Sequence, residues 1–223
     1  MNSSFPYQAL LFDLDGLLIN NDEVILRVLS QYFKDRFNLN ISFERFGHYW
    51  QQSRNDLLRA VIAEYNLGVT EAQLWKEASY FLNYQEIELN PGALELLEYA
   101  RDLGLRLALG ASSDKDYTYR KFAHLGIEPF FEVVVSGDDY QDHKPAPDLF
   151  LTVAEKLALK PSQILALDDG LSGVAGANKA KMPIIFVPSR FYDGKQKVPG
   201  ALLLPTLPAV QTYLENLIVP HNE

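Results

Sequence analysis

The sequence predicts an α/β fold: a mainly parallel sheet covered on both faces by helices, with a small helical domain inserted after the first strand. Three observations carry this. Short continuous apolar runs recur along the chain and end in small or acidic polar clusters. Helical patterns separate the later runs. One stretch near the start is helical throughout, with no strand-like run. Continuous apolar strands alternating with helices belong to parallel sheets, which are buried on both faces.

The first run, Ala9-Leu10-Leu11-Phe12, stops at Asp13-Leu14-Asp15-Gly16, as a buried strand does on reaching a loop. From Asn20 to about Leu89 the chain is rich in Tyr, Phe, Trp, Glu and Arg at helical spacing, as in Val24, Val28, Leu29, Tyr32 and Phe33. Ser42 before Arg45-Phe46, and Thr70 before a helix over Glu71 to Phe81, have the character of N-caps. The aromatic stripe Tyr80, Phe81, Tyr84 reads as core of this inserted domain, and Asn90-Pro91-Gly92 as its return hinge. Helices over Ala93 to Leu103, Tyr117 to Leu125, Pro147 to Leu157 and Gly173 to Ala180 then alternate with strands over Arg106 to Leu109, Val133 to Val135, Ile164 to Leu167 and Ile184 to Val187. The expected division is 1–19 with 90–223 for the core domain and 20–89 for the helical one.

Composition narrows the function. At 223 residues, 48% hydrophobic and 22% charged, the chain can bury a full core and is neither disordered nor fibrous. Its net charge of -9 argues against a nucleic-acid partner, because phosphate-backbone binding rests on Lys and Arg. A small anionic ligand needs only a few local cations and stays open. The absence of cysteine excludes a disulfide scaffold, a zinc–thiolate site and a thiol nucleophile. No signal peptide is visible, and no apolar run approaches the ~18 residues of a spanning helix. The expectation is a cytoplasmic protein with no membrane partner, a monomer or weak dimer.

The chemistry lies at the strand ends, where parallel sheets collect ligands. Asp13 and Asp15 follow the first strand, and Asp168-Asp169-Gly170 follow a later one. Carboxylates this close repel unless a cation lies among them. Oxygen donors suit a hard divalent ion such as Mg²⁺, which needs few carboxylates. Lys144, in His143-Lys144-Pro145-Ala146-Pro147-Asp148, is a candidate fixed cation; Ser112 and Ser113, after Gly110-Ala111, offer hydroxyls and N–H groups to an anion. His48, His124, His143 and His221 show no ligand spacing. The run Tyr117-Thr118-Tyr119-Arg120-Lys121 belongs to a covering helix.

Taken in order, Phe12-Asp13-Leu14-Asp15-Gly16, Gly110-Ala111-Ser112-Ser113, Lys144-Pro145-Ala146-Pro147-Asp148 and Asp168-Asp169-Gly170 resemble the motifs of the haloacid dehalogenase superfamily, chiefly its phosphatases and phosphomutases with a helical cap. The resemblance covers nearly the whole chain and implies a Rossmann-like three-layer core. It implies Asp13 as nucleophile, Asp15 as general acid and base, and Lys144 as the cation holding Asp13 and the phosphoryl oxygens. It implies Mg²⁺ bound by Asp13, Asp169 and the Asp15 main-chain carbonyl, with Asp168 in support. Ala111, Ser112 and Ser113 would line the phosphate, and cap residue Arg54 would grip the far end of a small phosphorylated metabolite such as a sugar phosphate. Asp15 argues for phosphoryl transfer, since the superfamily's dehalogenases lack it. Asn21-Asp22-Glu23-Val24-Ile25 lacks the early cap His of β-phosphoglucomutase-type enzymes, which favours a phosphatase over a mutase. Ala111 and Gly170 stand where Ser or Thr is usual, so a catalytically degenerate phospho-ligand-binding protein is a further alternative.

Overall fold

A computed structural model of the chain describes residues 5–43, 45–46, 54–189, 192, 194 and 197–217, with residues 54–56 described through their backbone only. Six strands form one sheet in the order β3-β2-β1-β4-β5-β6, and every neighbouring pair is parallel. The strands are β1 Ala9–Phe12, β2 Arg106–Gly110, β3 Val133–Val135, β4 Ile164–Asp168, β5 Ile184–Phe186 and β6 Leu202–Leu203. β1 lies at the centre, with Leu11 opposite Ala108 on one side and Ala166 on the other. Its four residues are all buried, as its unbroken apolar run requires.

Alternate residues of β1 enter opposite layers. Leu10 and Phe12 pack with Leu96 and Leu97 of helix α4 (Ala93–Asp102), Phe122 of α5 (Lys115–Leu125), and Val210 and Leu214 of α8 (Leu207–Asn216). Ala9 and Leu11 pack with Phe150 and Val153 of α6 (Asp148–Lys156) and with Val174 and Ala177 of α7 (Leu171–Lys179). This is the three-layer α/β core expected. The short last strand and α8 were not among the expected elements: Leu202 and Leu203 are too few and too exposed to give a strand signal.

Between β1 and α4 come helices α1 (Asn21–Phe37), α2 (Arg54–Glu64) and α3 (Glu71–Ala78). They build a separate apolar cluster from Leu26, Leu29, Phe33, Phe46, Leu57, Val61 and Leu74, all fully buried. Both expected caps form. Ser42 Oγ accepts from the Arg45 N–H at 3.2 Å, and Thr70 closes a capping box with Gln73. One expectation is corrected. The third helix stops at Ala78, and Ser79–Phe81 tighten into a 3₁₀ turn. That turn rotates Tyr80 and Phe81 off the packed face, leaving them 91% and 67% exposed rather than in the core. Tyr84 instead packs edge-on against Tyr117 of α5, with ring centroids 5.7 Å apart.

The helical segment leaves and rejoins the sheet at one place. Ile19 and Leu89 form an antiparallel bridge, and the Asn20 N–H donates to the Glu88 carbonyl at 3.0 Å. The Asn90 amide nitrogen donates to the carbonyls of Gly16 at 2.8 Å and Leu17 at 2.9 Å, tying the loop after β1 to the returning chain. Replacing Asn90 with Ala orphans both carbonyls and is expected to destabilise the fold by about 1–3 kcal/mol. A lower urea midpoint at unchanged m-value is the expected result; an unchanged midpoint would count against the tie.

Candidate active site

The parallel strands deliver their following residues to one edge of the sheet. The Asp13 N–H continues the ladder by donating to the Leu167 carbonyl at 3.0 Å, which aims the loop Asp13–Gly16 past the end of β1. Ala111 does the same after β2, donating to Val135 at 2.9 Å. The resulting crevice brings together Asp13, Asp15, Lys144, Asp168 and Asp169.

Lys144, 7% exposed at its side chain, donates to Asp13 Oδ1 at 2.5 Å and to Asp168 Oδ2 at 2.7 Å. Burial works against its charge, but Asp13 and Asp168 outweigh that and hold its pKa above the usual lysine value. Asp168 accepts a second bond from the Gly170 N–H at 2.9 Å. Asp168 is thus turned toward Lys144 and fixes its position.

Asp13 is buried. Desolvation pushes its pKa up to about 7, and the negative charges of Asp168 and Asp15 add to this, while Lys144 pulls the other way. Asp169 keeps part of its surface open, yet desolvation first, then Asp22, Asp13 and Asp168, raise it well above the carboxylate range. One fixed ammonium therefore does not balance this group. Gly16 is required beside it, because its φ is 92° and a Cβ there would stand 2.2 Å from Asp169 Oδ2.

Among the described residues no three acid or imidazole side chains form a closed metal cage. A hard divalent cation such as Mg²⁺ asks for less: one or two carboxylates, a carbonyl and water. Asp13 and Asp169, both pushed toward protonation by burial first and by neighbouring carboxylates second, are a fitting pair of donors.

Asp15 faces other partners. Its carboxylate accepts from Lys121 Nζ at 2.5 and 2.8 Å, from Asn21 Nδ2 at 2.8 Å and from Ser113 Oγ at 2.8 Å. Ser113 thus spends its proton on Asp15. Ala111 is fully buried, and Ser112 is exposed beside Tyr140. The Ser136–Asp139 cluster after β3 closes on itself, with Ser136 N–H and Oγ both donating to Asp139 Oδ2. Arg54 opens α2, and its side chain lies outside the described residues, as do His48 and His221. His143 pairs with the Tyr140 hydroxyl at 3.2 Å.

Residue-by-residue reading overlooked Asn21, Asp22 and Lys121. Lys121 carried a usable signal: it shares the inward face of α5 with Thr118 and Phe122, where a lysine is out of place unless paired.

A doubly wound parallel sheet with a lysine-bridged pair of carboxylates at its carboxyl edge defines an α/β protein with a polar crevice at the place where such sheets bind ligands. The sequence matches the haloacid dehalogenase-like hydrolase family over residues 10–187, and the chain belongs to that family. It is 28% identical over 225 residues to the protein CbbY of Rhodobacter capsulatus, covering 92% of this chain and 96% of that one. It is 27% identical over 193 residues to the phosphorylated carbohydrates phosphatase of Thermotoga maritima, covering 84% and 88%. Its fold matches a HAD family hydrolase from Deinococcus radiodurans, solved with bound phosphate and sodium, at a TM-score of 0.79 and 21% identity, covering 97% and 100%. No helix among the described residues is long and apolar enough to cross a membrane.

The raised pKa of Asp13 has a consequence for the metal-free protein. A carboxyl whose folded pKa lies above its unfolded value stabilises fully below the unfolded value, and that stability is lost as pH rises through the folded one. Asp13 runs from 3.8 unfolded to about 7 folded. In EDTA the melting temperature is therefore expected to fall between about pH 4 and pH 7, and D13N should flatten the slope. An equal slope in both proteins would show that Asp13 is not its source.

Proposed function

We propose that this chain is a Mg²⁺-dependent phosphatase that hydrolyses a small phosphorylated metabolite, a sugar phosphate or similar, through an aspartyl-phosphate on Asp13. The observation that carries this is the Lys144 ammonium held between Asp13 and Asp168 at the end of the central strand. Membership of the family and the named phosphatase relative support the same reading.

In this reading an Asp13 carboxylate oxygen bonds to phosphorus as the bond to the leaving oxygen breaks. Lys144 keeps that oxygen aimed and offsets negative charge on the phosphoryl group. Asp15 gives its proton to the departing alkoxide, then takes one from the water that attacks the phosphoaspartate, releasing phosphate and regenerating Asp13. Ser112 and the main-chain N–H groups after β2 hold the phosphoryl oxygens. When bound to Asp13, Asp169 and the Asp15 carbonyl, Mg²⁺ supplies the positive charge that lets an anionic carboxylate approach an anionic phosphate. Residues 20–89 act as a cap over the core domain formed by 1–19 and 90–223, with Arg54 reaching the far end of the substrate. Catalysis is favoured over a degenerate binding role because Lys144 stays engaged with both Asp13 and Asp168, and Asp168 is held by the Gly170 N–H.

A phosphomonoester panel with released phosphate as readout tests this. D13N is expected to keep the fold, judged by circular dichroism, and to lose turnover by at least about a thousandfold. EDTA is expected to abolish activity and Mg²⁺ to restore it. Turnover by D13N, or undiminished turnover in EDTA, would overturn the assignment.

A further inference from the structure

Lys121 belongs to none of the four strand-end motifs, yet it is wholly buried. It stands on the inward face of α5 between Thr118 and Phe122, with its Nζ 2.5 and 2.8 Å from the two Asp15 oxygens and 4.2 Å from the Tyr117 ring centroid. Asp15 also accepts from Asn21 and Ser113, and the Tyr117 hydroxyl donates to Asn21 Oδ1 at 3.3 Å. A buried lysine is expensive and persists only where its partner is fixed. Asp15 is fixed here by three donors from three elements: the start of α1, the loop after β2 and the body of α5. Its carboxylate side chain remains 24% exposed, so these donors do not seal it from solvent.

We propose that Lys121 is the positioning residue for Asp15. It holds both carboxylate oxygens so that the exposed edge faces the oxygen that leaves phosphorus. The placing of the acid is then a property of the core helix α5, with Tyr117 and Asn21 completing the frame. This rests on the reading of Asp15 as acid and base, and it adds a residue outside the motifs to the machinery of proton delivery.

Leaving groups separate this role from a merely structural one. p-Nitrophenolate departs without a proton, whereas the alkoxide of glycerol 2-phosphate needs one. K121M is expected to lower kcat on glycerol 2-phosphate by at least about tenfold, with KM little changed, and to leave the first-turnover release of p-nitrophenolate within about threefold, because that step alone asks nothing of Asp15. The D15N/K121M double variant should lose no more on glycerol 2-phosphate than D15N alone, since both changes act through one group. Should methionine unfold the protein, K121R keeps the buried charge but shifts its donors, and it is expected to show the same selectivity. The chain has no cysteine, so K121C, alkylated while unfolded with 2-bromoethylamine and refolded, restores a lysine-length amine at one site; recovery on glycerol 2-phosphate is expected. A first-turnover p-nitrophenolate release slowed as much as glycerol 2-phosphate turnover, no loss, or additive losses in the double variant would overturn the proposal while leaving the phosphatase reading intact. Turnover by D13N, or none by the unsubstituted protein, strikes that reading instead. The Asp15 orientation in crystals of K121M then decides, and an unmoved carboxylate overturns the positioning role.

Discussion

Carboxylates cannot be gathered in a buried crevice without cations to accompany them. Here Asp13, Asp168 and Asp169 converge at the end of a parallel sheet, and Lys144 spans two of them. Burial and mutual repulsion lift both Asp13 and Asp169. Lys144 limits that repulsion, and what it leaves uncompensated is the charge a divalent ion and its anionic ligand would share. The -9 of the whole chain is thus compatible with an anionic substrate, because the sign that matters is set within this crevice.

The fold follows the same constraint. Parallel strands point their carboxyl ends one way, so residues far apart in sequence arrive together without long loops. Lys144 comes from the segment before α6, Asp13 from β1 and Asp168 from β4, and each backbone is fixed by the ladder or by a helix start. Gly173 in the first turn of α7 lets the helix approach Asp168 so closely that a Cβ there would stand 2.0 Å from Asp168 Oδ2. The resulting frame is stiff at the chemistry, while the helical segment above it keeps its own apolar cluster.

Much of this was legible in the residues. The unbroken apolar runs located β1 to β5, their polar endings located Asp13 and Asp168, and the proline-flanked Lys144 stood out ahead of a helix start. The misses have physical causes. Leu202–Leu203 is a two-residue edge strand that owes its pairing to β5 rather than to its own pattern. Tyr80 and Phe81 continued a helical spacing past the point where the helix tightened into a 3₁₀ turn. Lys121 was absorbed into a covering helix because its partner, Asp15, lies 106 positions away in sequence. Only the fold reveals that an inward-facing lysine has a carboxylate to meet.

At the bridge between Ile19 and Leu89 the helical segment leaves and rejoins the sheet through adjacent backbone. The closure cost of a chain that departs and returns through adjacent backbone grows only slowly with its length, by about 0.6 kcal/mol for each doubling. The scaffold that performs phosphoryl chemistry and the segment that would select among metabolites can therefore diversify on separate schedules.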